Sequence, residues 1–126
     1  MRILRNRDMF YIIGLMPTPS IGQLELAALL AVARLDKEAY GLAVRRELAA
    51  RIGRDYSVGA VYTTLQRLED KGLLKSRTGD PLPIRGGRSR RHFVLTGAGT
   101  RALREAQRNA VALWAGVGTV LRPETT

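Results

Sequence analysis

Along most of the chain apolar residues return at steps of three and four, the period of helices that bury one face. Between Leu24 and Leu35 the sequence is dominated by Leu and Ala, and Leu26, Leu29, Leu30 and Ala33 keep that spacing. A first, largely buried helix is expected there. Asp36, Lys37 and Glu38 interrupt the run. Tyr40, Val44, Leu48 and Ile52 then make a second stripe, with Arg45, Arg46, Glu47 and Arg51 outside it, and Gly53 ends the helix. Ser57 is a suitable N-cap for a third helix that carries Val58, Val61, Leu65 and Leu68 on one face and stops at Gly72.

Beyond Gly72 the helical period disappears. Leu73 to Thr78 and Arg91 to Leu95 read as two short strands around a loop from Gly79 to Arg90 that contains Pro81, Pro83, Gly86 and Gly87. Two strands around such a loop form a hairpin. Thr96 can cap a last helix, in which Leu103, Ala106, Ala110, Leu113, Val117 and Val120 recur at alternating three and four steps as a heptad seam. A seam this narrow on a terminal helix meets either a partner helix or the chain's own core, and we take the partner helix as the expectation; Gly116, Gly118 and Pro123 weaken its end.

The resulting fold class is mainly α with a small β-hairpin, a winged helix-turn-helix plus a C-terminal dimerisation helix. Its expected divisions are an N-terminal extension over 1–21, the winged unit over 22–96, the dimerisation helix over 97–121 and a tail over 122–126. A chain of 126 residues fits one core, and an apolar share of 45% is ordinary for a globular domain. At the start, Arg2, Arg5 and Arg7 precede an apolar run from Met9 to Met16 in a layout superficially like a signal peptide. Asp8 interrupts the junction, the run is short, and Pro17 to Ser20 offers no small-residue cleavage pattern. The run is also too short to span a bilayer, so no membrane is expected as a partner. The segment is left as a short helix or a disordered extension, with Met16 as an alternative start.

Charge narrows the choice of function. A formal net charge of +10, with 21 Lys and Arg against 11 Asp and Glu, attracts polyanions. Most of these cations are arginines, whose planar fork suits phosphate and guanine edges, which favours nucleic acid over solubility alone. With no cysteine, disulfides and zinc-thiolate sites are excluded, and a reducing cytoplasm is the expected compartment. No cofactor or metal is expected. The lone His92 has no His or Cys partner for a metal and is given a structural or phosphate role.

In a winged helix-turn-helix the later helix of the pair lies in the major groove and the wing reaches the flanking backbone. The third helix is then the reader. Ser57 and Gly59 let a strand come near the helix N-terminus, where unpaired N–H groups favour phosphate. Thr63 and Gln66 point outward as candidate specificity residues, because threonine touches base edges or a thymine methyl and glutamine pairs two-point with adenine. Tyr62 is either a phosphate contact or an aromatic at the edge of the core. Asp70 would repel phosphate and is expected to face away from it. Arg67 belongs to the same candidate surface, and Arg45 and Arg46 on the second helix are further phosphate candidates. The hairpin carries Lys75, Arg77, Arg85, Arg88, Arg90 and Arg91 against Asp80, either a solvated face or, as favoured here, a phosphate or minor-groove clamp.

Ser57-Val58-Gly59-Ala60-Val61-Tyr62, with Leu65, Arg67-Leu68 and Gly72-Leu73-Leu74, resembles the recognition-helix signature of PadR-like transcriptional regulators. The run Gly86-Gly87-Arg88-Ser89-Arg90-Arg91-His92-Phe93 with Leu95-Thr96 and Gly99 resembles the wing of that family, and Tyr40-Gly41 also matches. The likeness covers roughly Leu24 to Ala106 and points to the smaller subgroup, with one helix after the wing. It departs at His92-Phe93, where the family commonly has two tyrosine-like residues, and in the N-terminal segment. The resemblance implies a homodimer that binds a palindromic double-stranded DNA operator, usually as a repressor, with small molecules relieving binding in some members. Trp114 beside the seam is then either an interface anchor or a platform for a small aromatic effector.

Two other classes stand against this reading. An enzyme would need an assembled acid-base or nucleophile set, and the carboxylates are scattered with no phosphate-binding glycine loop after a strand. A winged helix can instead serve as a protein-protein interaction module whose basic wing meets an acidic partner.

Overall fold

The computed structural model describes residues 20–81 and 89–123. Residues 1–19 of the expected N-terminal extension, Arg85, Arg88 and the tip of the expected wing lie outside the described residues.

Helix α1 (Gln23–Leu35) begins at Gly22, whose N–H donates to Glu25 Oε1 at 3.1 Å. A 3₁₀ turn over Asp36–Glu38 follows, then α2 (Gly41–Ile52), closed by Gly53 in the left-handed region. Helix α3 (Val58–Asp70) starts at Ser57, whose Oγ accepts from the Ala60 N–H at 3.1 Å, as the cap residue suggested. Strands β1 (Leu74–Pro81) and β2 (Ser89–Leu95) pair antiparallel with Leu74 opposite Leu95, and helix α4 (Gly97–Trp114) starts at Thr96, which accepts from the Gly99 N–H. The strands run further than the sequence pattern suggested, because pairing continues past Thr78, across an irregularity, to Pro81 opposite Ser89.

The three helices before the hairpin enclose one core. Leu29 and Val32 from α1, Val44 and Leu48 from α2, and Val61, Leu65 and Leu68 from α3 meet Leu73, Leu74 and Phe93 from the hairpin base, all essentially solvent-free. Side chains alternate across a strand, so Leu74, Ser76, Phe93 and Leu95 turn to the helices while Lys75, Arg77 and Val94 are exposed on the other face. A third segment joins the free edge of β2: the Phe93 N–H donates to the Ala39 carbonyl at 2.8 Å, and Tyr40 bridges His92. No alternation of apolar and polar residues at Ala39 and Tyr40 announces this pairing.

Several expectations change. Ile52 at the end of α2 and Val58 at the start of α3, both expected on apolar stripes, are 50% and 42% exposed. The stripe Leu26, Leu29, Leu30 and Ala33 does not mark a single buried face of α1. The core side is Ala28, Leu29, Ala31 and Val32, whereas Leu30 and Ala33 are exposed and Leu26 is half-buried. The helix is apolar on two sides, and only one of them is covered by the described chain. The C-terminal helix also ends at Trp114, short of the expected 121. Ala115 takes an extended ψ of 127° and Gly116 a φ of +76°, so Val117 and Val120 lie in turns instead of continuing the helical seam. A left-handed glycine is an ordinary way to terminate a helix, and it outweighs the three-four spacing beyond it.

Ion pairs tie the helices together at their edges. Glu47, expected on the outside of α2, is half-buried and pairs with Arg34 of α1 at 2.7 Å and Arg51 at 2.9 Å, hydrogen bonds that hold its carboxyl below the usual range. Lys71, which follows α3, donates to the Ser20 carbonyl and to Glu25 of α1. Burial pushes the Glu25 carboxyl up, but the Lys71 hydrogen bond, the Gly22 N–H and the nearby charges of Lys71 and Arg67 together hold it below its ordinary value.

Candidate nucleic-acid interface

The outward side of α3 is built by the same periodicity that buries its inner side. With Val61, Leu65 and Leu68 locked in the core, Gly59, Thr63, Gln66, Arg67 and Asp70 are left exposed. Thr64, not singled out from the sequence, is buried and donates from Oγ1 to the Ala60 carbonyl at 2.7 Å. Signals for it were absent, since threonine on a helix gives no sign of whether it bonds inward or outward.

The first turn of α3 is open. A helix leaves its first N–H groups without intrahelical acceptors, and Ser57 takes that of Ala60. Among the described residues, a methyl group added at Gly59 would meet nothing within 4 Å. No packing among the described residues therefore demands a glycine there, although glycine costs a helix about 1 kcal/mol relative to alanine. Gly41 and Gly99 are different. A Cβ at Gly41 would stand 2.4 Å from Tyr62 Cζ, and one at Gly99 would stand 2.1 Å from the Leu73 carbonyl oxygen. Gly41 makes room for the Tyr62 ring, which packs at the edge of the core with 39% of the residue exposed.

The cations divide into two groups. Arg46, Arg67, Lys75 and Arg77 are exposed and form no hydrogen bond or ion pair among the described residues. Others are engaged by the chain itself. Arg45 donates from Nε to the Tyr56 carbonyl at 2.6 Å and pairs with Asp55 at 3.0 Å, bracing the loop that leads into α3. Arg90 lies 4.3 Å over the Tyr40 ring, and Tyr40 meets His92 edge-on at 5.9 Å between ring centroids. Arg91 reaches Ser76, Gln66 and Glu69, and Gln66 donates in turn to Asp70 at 2.9 Å. Sequence patterning does not separate the two groups, because an arginine looks the same whether an acceptor stands beside it or not.

A second candidate surface lies on α1 and α4. Leu26, Leu30, Leu103, Ala106 and Ala110 line an open groove of ≈ 420 Å³ together with Thr100, Arg104 and Gln107. Beyond it Val111, Leu113 and Trp114 are 69%, 78% and 64% exposed, far more than isolated apolar side chains of a helix need be. Trp114 is not among the groove's lining residues. Among the described residues no cluster of His, Asp or Glu could hold a metal ion, and no helix is long and apolar enough to cross a membrane.

Comparison with known proteins bears on the family and the fold. The model of the transcriptional regulator PadR-like family matches residues 29–105. A PadR family transcriptional regulator from Eggerthella lenta is similar over 93% of this chain and 96% of its own, at 28% identity and a TM-score of 0.61. A PadR-like transcription factor from Bacteroides fragilis is 27% identical, with 79% of this chain and 90% of its own covered and a TM-score of 0.64. A PadR-like transcriptional regulator from Bacillus cereus, 21% identical over 80% of this chain and 93% of its own, shares the fold at a TM-score of 0.64. No curated protein matches the chain.

Proposed function

Because the chain belongs to the PadR-like family of transcriptional regulators, we propose that it binds a palindromic DNA operator as a homodimer and represses a nearby gene. The observation that carries DNA binding is the open first turn of α3. Gly59 leaves bare a helix end, where unpaired N–H groups and a partial positive charge favour an anion, and packing among the described residues supplies no reason for the missing side chain. A phosphate strand approaching that turn does supply one. Thr63 and Arg67, one and two turns further along, extend the surface toward base edges, and Lys75 and Arg77 on the open face of the hairpin supply phosphate contacts beside it. Arg88 at the expected wing tip and Arg46 on α2 belong to the same phosphate-binding set.

Dimerisation rests on the groove between α1 and α4. Leucine side chains from two helices line it, and the apolar end of α4 projects beyond it, so α4 of a second copy fits as its cover. Two α3 helices related by that two-fold axis would face half-sites about one turn of DNA apart. Trp114 at the exposed end of α4 is the place where a flat aromatic effector would act, by altering this interface.

Fluorescence anisotropy with the gene's own upstream DNA, against random duplex at physiological salt, tests the reading. Specific binding is expected to be tighter by about a thousandfold or more. Equal, weak binding to both sequences would sink the regulator reading and favour an acidic protein partner for the basic hairpin.

A further inference from the structure

We propose that Arg91 is a positioning residue: with Glu69 it buckles the hairpin to the recognition helix α3 and sets the side chain of Gln66, instead of contacting phosphate as its charge alone suggests. The proposal rests on the DNA-binding reading above. Arg91 stands on β2 opposite Thr78, on the strand face that carries Phe93, and its guanidinium lies 5.1 Å over the Phe93 ring. From there its donors diverge onto three acceptors. Nε donates to Ser76 Oγ at 2.9 Å, one terminal nitrogen to Gln66 Oε1 at 3.2 Å, and the other to Glu69 Oε2. Glu69 completes the buckle with its second oxygen, which accepts from the Ser76 N–H at 3.2 Å and the Ser76 hydroxyl at 2.7 Å. One carboxylate of α3 thereby holds both strands of the hairpin.

The consequence for Gln66 is geometric. Its carbonyl oxygen faces the Arg91 guanidinium and its amide nitrogen donates to Asp70 Oδ1 at 2.9 Å. The opposite orientation would set an NH2 group against a cation and a carbonyl against a carboxylate, so the amide has one favoured orientation. Two-point pairing with adenine requires both ends of the amide, and here both are engaged. Gln66 therefore acts in the free protein as a strut between Arg91 and Asp70. Arg91 in turn has its charge offset by Glu69 at contact distance, which leaves it a weak source of attraction for phosphate. Lys75 and Arg77, on the opposite strand face, have no such partner among the described residues.

Substitutions at position 91 separate the two roles because a phosphate contact needs only charge, whereas the buckle needs a fork with several donors. Salt dependence of binding to the upstream DNA is the readout, since each lost phosphate contact lowers the slope of log affinity against log salt by about 0.9. Lys75→Gln is expected to lower the slope by that amount. Arg91→Gln is expected to leave the slope unchanged while the ratio of specific to random binding falls about tenfold or more. Arg91→Lys should fail to rescue that ratio. Glu69→Gln removes a negative charge, which by electrostatics alone would tighten binding to any DNA; the buckle requires it to lower the specific ratio as Arg91→Gln does. Hydrogen exchange at the Ser76 amide reads the buckle without DNA, and both Arg91→Gln and Glu69→Ala, which removes the acceptor, are expected to speed it about tenfold or more. Unchanged Ser76 exchange in Glu69→Ala overturns the buckle whatever the DNA results. A slope drop in Arg91→Gln that Arg91→Lys restores overturns the positioning role in favour of a phosphate contact. If the wild-type protein fails to distinguish its upstream DNA from random duplex, the regulator reading fails and the exchange measurement still decides the buckle.

Discussion

Gly59 and Gly99 show how one residue type serves opposite purposes at the residue scale. Gly99 is buried, and its backbone lies so close to the Leu73 carbonyl that the start of α4 could not dock on the connection between α3 and β1 with a methyl between them. Gly99→Ala is therefore expected to destabilise the fold by roughly 1–3 kcal/mol, as overpacking does, visible as a lower thermal midpoint. Gly59→Ala should act the other way on stability, raising it by up to ~1 kcal/mol through helix propensity. The same change should weaken binding to operator DNA by about tenfold, an interaction loss of ~1.4 kcal/mol. A Gly59→Ala variant that is both more stable and fully DNA-competent would remove the main support for a close DNA approach at that turn. Asp36 holds a different strain, a φ of +50° with ψ of −112°, which is a glycine conformation at a tight turn. Asp36→Gly should relieve it and stabilise the protein by about 1 kcal/mol in chemical denaturation.

Elements are joined here by a small number of charged contacts, and these carry a pH dependence. Lys71 at the end of α3 and Glu25 in the first turn of α1 link helices far apart in sequence. The Glu25 carboxyl is held below its ordinary value of 4.5 in the folded chain. A depressed folded value means that its contribution is fully present above the unfolded value and is lost as pH falls through the folded one. Stability should therefore decline as pH drops below about 4.5, with Glu47, also depressed by Arg51 and Arg34, contributing in the same direction. Thermal melts between pH 3 and 7 are expected to show a shallower acid decline in Glu25→Gln than in the wild type. An unchanged acid decline would assign it to other carboxylates. At the other end of the fold α4 leaves the core after Ala102 and Leu103, and its later apolar residues stand in solvent. Leu113→Glu places a charge in that surface. Sedimentation is expected to show a monomer, and a variant that remained dimeric would exclude this face as the interface.

For the whole molecule the charge distribution matters more than any single contact. The net charge of +10 attracts any polyanion, but it does so without regard to sequence. Neutralising Lys75 and Arg77 together should weaken binding to specific and random DNA alike and reduce the salt slope by about 1.8, two phosphates' worth. Thr63→Ala should instead change which bases are preferred and leave the slope near that of the wild type. If Lys75 and Arg77 prove indifferent to salt, the hairpin's open face is not the phosphate-binding surface. The buckle through Arg91 adds a mechanical element, since it makes the hairpin and α3 a single body presented to DNA.

The order of elements was legible in the sequence because each rests on local physics. Ser57 and Thr96 cap helices by bonds to residues three positions on, and the apolar period of α3 selects its buried face before any neighbour is known. The outward set of Gly59, Thr63 and Arg67 follows from the same period. Tertiary structure decided what spacing cannot encode. Leu30 looks like a core residue of α1 but faces an open groove, since a helix with two apolar sides does not announce which one its own chain will cover. The heptad spacing ran on to Val120, yet backbone geometry at Ala115 and Gly116 ends α4 at Trp114. The arginines divided only when their acceptors appeared. Arg45 found Asp55 and the Tyr56 carbonyl, Arg91 found Glu69, and Lys75 and Arg77 remained on the open strand face. Charge is a property of one residue and can be counted from sequence, whereas its neutralisation belongs to a pair and depends on which distant residues the fold brings together.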